Sequence, residues 1–202
     1  MTDDVRLYRS TTDTVIAIGA WVAVTAGAAL VVLLGATRST QQLWALVPLA
    51  LIALLVGELF WRPRIIWDEK SITLVNPYAT TTVPWTMVVD IDTRFALTVV
   101  TPSRRYRSSA APAAGALTMP RGGRDSLGPD QKGGVLRKSD ALGTDSGDAA
   151  YIIRGAWHRL VESEAIPLGR AGSDRARVHV HVTALALSLL LAAATVPALL
   201  NL

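Results

Sequence analysis

Three apolar runs constrain the fold of this chain more than any other feature. They occupy residues 14–36, residues 43–60 and most of the C-terminal segment 182–202. An α-helix needs about 20 apolar residues to cross a hydrocarbon core of about 30 Å. The sequence therefore predicts three transmembrane helices. A signal peptide is the competing interpretation of the first run, which follows Arg6 and Arg9, but the apolar core of a signal peptide has only about 7–15 residues.

The first two runs are separated by a short polar connector, Thr37–Gln42. Residues 1–61 are therefore predicted to form an antiparallel transmembrane hairpin. Small residues such as Gly19 and Gly27 in the first run would let helices pack closely in lipid. Small residues that merely face lipid are the alternative interpretation.

Positive charge is concentrated between the second and third runs. Residues 62–177 contain 17 of the 20 Lys and Arg residues and 12 of the 16 Asp and Glu residues, whereas Arg38 is the only charged residue of the connector. Cytoplasmic segments of membrane proteins carry an excess of Lys and Arg. We therefore expect a multi-pass membrane protein whose N-terminus and central domain are cytoplasmic and whose C-terminus is extracytoplasmic.

Residues 62–165 begin with a series of short β-rich segments. Alternating or β-branched runs separated by turn residues are typical of antiparallel strands. Asp68–Ser71 and Asn76-Pro77 supply two of the turns, and Ser103–Arg107 is predicted to begin a further strand. The predicted strands are Arg64–Trp67, Ser71–Val75, Thr80–Val83, Met87–Ile91 and Phe95–Val100.

The remainder of this domain contains a segment with the composition of a loop and then a segment with the pattern of a helix. Residues 108–143 are rich in Ala, Gly, Pro and Ser, a composition that buries little apolar surface and predicts a flexible loop. Residues 146–163 then show the three-and-four spacing of an amphipathic helix, with Asp145 or Ser146 as its N-cap. We expect its apolar face to close the β domain. A basic linker, 166–181, leads to the third span.

Three short motifs carry a family resemblance: Asn76-Pro77-Tyr78, Val83-Pro84-Trp85 and the segment 144–148, Thr-Asp-Ser-Gly-Asp. With the helical hairpin, they resemble actinobacterial membrane proteins that contain a bacterial pleckstrin-homology (PH) domain, of the low-molecular-weight antigen type. The likeness covers roughly residues 1–165. It implies an α+β membrane protein with a PH-like antiparallel barrel or sandwich of seven strands, closed by a C-terminal helix. The excess of arginine (17) over lysine (3) fits a GC-rich actinobacterial genome.

The residue pattern favours binding over catalysis. The chain has no cysteine, and Ser146-Gly147 lacks the small-residue elbow that exposes a nucleophilic serine. His179 and His181 would both reach a metal only from an extended segment, so a structural role at the interface is the simpler interpretation. Asp90 and Asp92 share one strand face, where exposure to solvent explains them. We expect no enzymatic activity, no cofactor, no metal and no nucleic-acid partner.

The predicted function is that of a non-enzymatic adaptor or accessory subunit of a larger membrane complex, for example a respiratory-chain or envelope-biogenesis assembly. Its partners would be the integral membrane subunits of that complex and membrane lipids. A sensor of anionic lipid or of a small ligand at the inner leaflet is the alternative, and a transporter that oligomerises around the intramembrane Glu58 is a third possibility. The candidate lipid or partner contacts are Arg104, Arg105, Arg107, Glu58, Trp61 and Trp67.

Overall fold

The computed structural model of the chain describes residues 5–37, 40–93, 95–112, 145–164, 166 and 174–201. The chain divides into two compact units. The β unit contains the residues up to Ser10 together with Pro63–His179, and the helical unit contains Thr11–Arg62 and Val180–Leu202. The α+β class expected from the sequence is confirmed.

The helical unit holds three helices long and apolar enough to cross a membrane. Helix α2 (Leu46–Val56) packs against both α1 (Thr11–Thr37) and α4 (Val182–Leu200). Arg38, in the polar connector, lies outside the described residues. The elements are α1 (Thr11–Thr37), a 3-10 helix (Thr40–Ala45), α2 (Leu46–Val56), a π-helical segment (Gly57–Trp61) and α4 (Val182–Leu200).

Glycines of α1 differ in how closely a neighbouring side chain approaches them. A Cβ added at Gly35 would lie 2.9 Å from Leu43 Cδ2, whereas one at Gly27 would make an ordinary contact with Leu49 at 3.7 Å. A Cβ at Gly19 would meet nothing within 4 Å. A Cβ at Gly35 would therefore have to displace the end of the flexible Leu43 side chain, and Gly35 was not among the small residues singled out from the sequence.

The first sheet of the β unit has five strands, whose ranges are given at the end of this paragraph, in the order β1-β2-β3-β4-β8. The pairs β1–β2, β2–β3 and β3–β4 are antiparallel. The three middle strands coincide with the predicted meander. Strand β1 lies before the first span, in residues that were assigned to the transmembrane hairpin 1–61, and β8 lies in the predicted basic linker, so residues 166–181 are not all linker. The strands are β1 (Arg6–Tyr8), β2 (Arg64–Trp67), β3 (Ser71–Asn76), β4 (Ala79–Pro84) and β8 (Arg177–Val180).

The second sheet has three antiparallel strands: β5 (Asp90–Asp92), β6 (Ala96–Val100) and β7 (Arg105–Pro112). A 3-10 turn, Trp85–Met87, precedes it. Strand β7 runs five residues into the segment predicted as a loop, and residues 113–143 of that loop lie outside the described residues. Both sheets are open, and the described strands do not close a barrel.

Asn76 joins the two sheets through its side chain. Its Nδ2 donates to the Arg107 carbonyl at 2.9 Å, and its Oδ1 accepts from the Ser109 N–H at 2.8 Å. The next two residues, Pro77 and Tyr78, form a two-residue turn in which Tyr78 has a φ of 58°. Proline presets the first turn position, and a positive φ at the second completes a type II turn.

Helix α3 (Asp145–Glu162) confirms the amphipathic helix expected at about 146–163. Its apolar stripe enters a core shared with both sheets. Arg154 of this helix donates from Nε to the carbonyl of Ile91 at 3.1 Å and so satisfies a main-chain acceptor of β5. The largest buried side chains of this core include Ile65, Ile72, Leu74, Val83, Trp85, Ile91, Leu97, Val99 and Ile153.

Candidate interaction surfaces

The three arginines predicted to form a basic cluster do lie together, at the start of β7. Arg104 directly precedes the strand, and Arg105 and Arg107 occupy its outward positions, opposite Val100 and Thr98 of β6. The side chain of Arg105 is 71% exposed. Alternation along the strand therefore presents these arginines to solvent.

Two neighbours change the chemistry of this cluster. Asp92 Oδ2 lies 3.8 Å from Arg105 Nη1, which offsets part of the positive charge. The Arg107 guanidinium lies 5.7 Å from the centroid of the Phe95 ring, and Phe95 is 63% exposed. We call the set Arg104, Arg105, Arg107 and Phe95 the basic edge. It combines cationic donors with an exposed aromatic ring.

Glu58 lies in the π-helical segment at the end of α2 and is 7% exposed. Arg62 Nη1 donates to both carboxylate oxygens, at 2.7 and 2.9 Å. The Arg62 N–H bonds to the Gly57 carbonyl five residues back, at 2.8 Å. This geometry is that of an ion pair across one helical turn, while a transport role or a lipid or partner contact for Glu58 stays a prediction.

Trp61 belongs to an aromatic pair in the helical unit. Its ring centroid lies 5.3 Å from that of Trp21, and the Trp21 indole N–H donates to the Ala53 carbonyl at 3.0 Å. Trp61 remains 38% exposed. An aromatic ring that is partly packed and partly accessible is compatible with the lipid or partner contact proposed for Trp61, which stays a prediction.

Trp67, one of the candidate lipid or partner contacts, lies inside the β unit. It is 5% exposed and belongs to the buried core. The reason is the strand period: Trp67 and Ile65 share the inward face of β2, whereas Arg64 points outward. This burial gives no support to a contact with lipid or a partner, and that role stays a prediction.

A cleft of about 550 Å³ lies beside the Asp68–Ser71 turn, between the strands β1 and β2 and the end of α3. Asp68 is held in that turn, because its Oδ1 accepts the N–H groups of Lys70 and Ser71, each at 2.7 Å. The cleft is lined by Arg6, Trp67, Asp68 and Glu69 on the sheet side and by Ala156, Arg159, Leu160, Glu162 and Ser163 on the helix side. The sequence analysis did not identify this site, since its residues are far apart in the chain.

The histidine pair is divided between two elements. His179 belongs to strand β8 and His181 is the N-cap of α4. Within the described ranges, no three His, Asp or Glu side chains come together as a metal site. The metal interpretation therefore gains no geometric support.

Two residues before the first span are hydrogen-bonded to the first residue of α3. The Tyr8 hydroxyl donates to the Asp145 carbonyl and the Ser10 hydroxyl donates to Asp145 Oδ2, both at 2.9 Å. Ser10 is 1% exposed. The N-terminal segment is thus a structural part of the β unit, for which the only signal in the sequence is the short alternating run around Leu7.

The chain was compared with known protein families, with curated proteins and with solved structures, and nothing in any of the three comparisons matches it.

Proposed function

We propose that this chain is a non-enzymatic adaptor or accessory subunit of a larger protein complex in a bacterial, specifically actinobacterial, cell membrane. One observation carries the proposal: all three membrane-length helices continue into strands of the same five-stranded sheet. Two residues separate β1 from α1, two separate the π-helical segment from β2, and one separates β8 from α4.

Three short connections restrict the freedom of the β unit far more than one flexible tether would. A binding surface that is already restrained loses less rotational and translational entropy when it meets a partner. This arrangement suits a subunit that must bind a neighbour in the same membrane.

The β unit is proposed to be a PH-like domain on the cytoplasmic side, with the N-terminus on the same side and the C-terminus outside. Two antiparallel sheets that share one core, with α3 packed against β5, β6 and β7, support the fold assignment. The excess of Lys and Arg in residues 62–177 supports the orientation. The basic edge is the proposed partner contact, because arginine and exposed aromatic side chains are enriched at protein interfaces.

The test is affinity purification of the tagged full chain from native membranes, with chemical cross-linking before mild detergent is added. Mass spectrometry should recover one set of integral membrane proteins in stoichiometric amounts. A tagged membrane protein of unrelated fold, expressed at the same level, controls for general co-purification. Recovery of this chain alone, or only as an oligomer of itself, would refute the accessory-subunit function.

A lipid or small-ligand sensor is the second candidate, and the exposed Phe95 ring beneath Arg107 favours it. An aromatic ring beside arginines can enter the headgroup layer, where each cationic side chain contributes about 1 kcal/mol with anionic lipid. The nearby Asp92 weakens this attraction, which is why we rank the sensor below the adaptor.

The full chain is the right reagent for testing the sensor, because a 62–177 fragment would lack strand β1. The protein in zwitterionic nanodiscs should bind anionic vesicles in a salt-sensitive way if the sensor function holds. Replacing Arg104, Arg105 and Arg107 together by Ala should then abolish binding. Replacing three other cations, Lys70, Arg159 and Arg175, controls for the loss of net charge, and equal losses in both triple variants would argue against a specific lipid site.

A further inference from the structure

We propose that the outer face of the three-stranded sheet binds the same face of a second copy of this chain. This face is the side of β5, β6 and β7 that points away from the core, and it carries carboxylates on one outer strand and arginines on the other. The inference does not depend on the adaptor function, because two copies can associate whether or not a further protein joins them.

Strand alternation places both kinds of charge on the same side of the sheet. Asp90 is exposed and Asp92 is partly exposed, whereas Ile91 between them is fully buried in the core. On β7, Arg105 and Arg107 are exposed in the same way, on either side of a residue that packs against the core. The triplets Asp-Ile-Asp and Arg-Tyr-Arg therefore present their charges to solvent from the two outer strands.

The middle strand separates the two signs of charge. β6 contributes Thr98 and Val100 to this face, both partly exposed. The strand register arranges the face in two rows: Asp90, Val100 and Arg105 form one, and Asp92, Thr98 and Arg107 form the other. Each row therefore runs from negative to positive across the sheet.

The carboxylates and arginines of one row do not pair directly with each other. Neighbouring strands lie about 4.8 Å apart, so β5 and β7 are separated by about 10 Å. Arg105 reaches Asp92 diagonally, at 3.8 Å, which is long for a charge-assisted hydrogen bond. Asp90 accepts the N–H of the next residue at 2.8 Å, and Arg107 lies against the Phe95 ring. Each row thus keeps charges of opposite sign at its two ends.

A second copy matches this pattern when a two-fold axis lies between the two faces and runs along β6. Such an axis places β5 of each copy over β7 of the other, and β6 over β6. Asp90 then meets Arg105 of the second copy, and Asp92 meets Arg107, with the same contacts repeated by symmetry. Stacked sheets lie about 10 Å apart and about 30° from parallel, a separation that an aspartate and an arginine span together.

Other occupants complement only half of the face. Anionic lipid or an acidic protein surface would attract the arginines of β7 but would be repelled by the aspartates of β5, and a basic surface would do the reverse. Like charges brought together at an interface are strongly unfavourable. A second copy carries both signs in the required order. Arg104 and Phe95 of the basic edge lie outside the two rows and remain available to a neighbouring protein.

The experiment exchanges the charges of the two outer strands in the full chain, in mild detergent, with association measured by analytical ultracentrifugation. Asp90→Arg with Asp92→Arg makes the face wholly basic, and Arg105→Asp with Arg107→Asp makes it wholly acidic. The wild type should form a dimer. Each double variant alone should have a dissociation constant at least about tenfold higher, because four attractive contacts become repulsive. An equimolar mixture of the two variants should dimerise again, because the facing strands are then complementary.

A matched control separates this face from the effect of net charge. Glu69→Arg with Glu162→Arg changes the net charge by as much as the basic variant does, at exposed residues outside the face, and should associate as the wild type does. A monomeric wild type, a mixture that fails to associate, or an equal loss of association in the control would each overturn the proposal. Thermal unfolding of every variant checks that it folds.

A thiol at the two-fold axis tests the geometry without changing any charge. The chain has no cysteine, so Thr98→Cys introduces a single thiol that should lie opposite its own counterpart in the second copy. A short bismaleimide should link two copies of this variant. Ser163→Cys, at an exposed residue just beyond α3, is the control and should not be linked. An unlinked Thr98→Cys variant, or equal linkage of the two variants, would overturn the proposal even if a charge variant fails to fold.

Discussion

The bond between Ser10 and Asp145 provides the sharpest test of the β unit, because it joins the segment before the first span to a helix 135 positions later. Ser10 is 1% exposed and donates from Oγ to Asp145 Oδ2 at 2.9 Å. Substituting Ser10→Ala removes this donor and changes little else in volume. It should therefore destabilise the attachment of β1.

The expected loss follows from the type of bond. A hydrogen bond to a charged group contributes about 1.5–3 kcal/mol. Asp145 is only partly buried, so water replaces part of the lost bond, and we expect about 1.5–2 kcal/mol. For a chain of this size, about 2–4 °C per kcal/mol converts this loss to a fall of about 3–8 °C in the melting temperature.

The assay is thermal unfolding of the full chain in nanodiscs, followed by tryptophan fluorescence. Ser103→Ala, at an exposed serine of the same unit, is the matched control and should change stability by less than about 0.5 kcal/mol. A double-mutant cycle with Asp145→Ala isolates the pair from the favourable effect of an acidic residue at a helix N-terminus. Additive effects of the two substitutions, or a Ser10→Ala effect no larger than the control, would refute the assigned bond.

Three other substitutions test local features. Asn76→Ala should cost about 1–2 kcal/mol in chemical denaturation by removing the bonds to the Arg107 carbonyl and the Ser109 N–H; an unchanged unfolding midpoint would contradict the bridge. Glu164→Gly should raise the melting temperature, because Glu164 has a φ of 56° just beyond α3, where glycine relieves about 0.5–1 kcal/mol of strain; a lower melting temperature would contradict this. Trp85→Phe should lower the free energy of unfolding by about 1–3 kcal/mol, because the Asp68 carbonyl loses its hydrogen-bond donor; an unchanged unfolding midpoint would show that this bond contributes nothing.

Elements defined by long or strictly periodic patterns could be predicted from the sequence. The three apolar helices could be predicted because an α-helix needs about 20 apolar residues to cross a bilayer. Helix α3 has a cap and an apolar stripe, and β3 alternates between turns at both ends. These signals are local, so no tertiary information is needed to interpret them.

The elements that were missed depend on distant partners. Strands β1 and β8 have three and four residues, too few to show a period, and they exist because β2 and β4 offer edges to pair with. The burial of Trp67 depends on which face of β2 turns toward the core, which a four-residue strand does not show by itself. The cleft joins residues from 6 to 163, which no local pattern connects.

Two buried tryptophans near the Asp68–Ser71 turn differ in what their indole N–H groups contribute to stability. Trp85 is 1% exposed and donates to a main-chain carbonyl, so losing its N–H should lower stability. Trp67 donates to no described residue, so Trp67→Phe removes an unpaired donor, which offsets the cost of the smaller ring, and stability should change by less than about 1 kcal/mol. Trp85→Phe should therefore destabilise the chain more than Trp67→Phe does. Equal losses in chemical denaturation would refute this account, because general damage from a smaller ring would affect both variants alike.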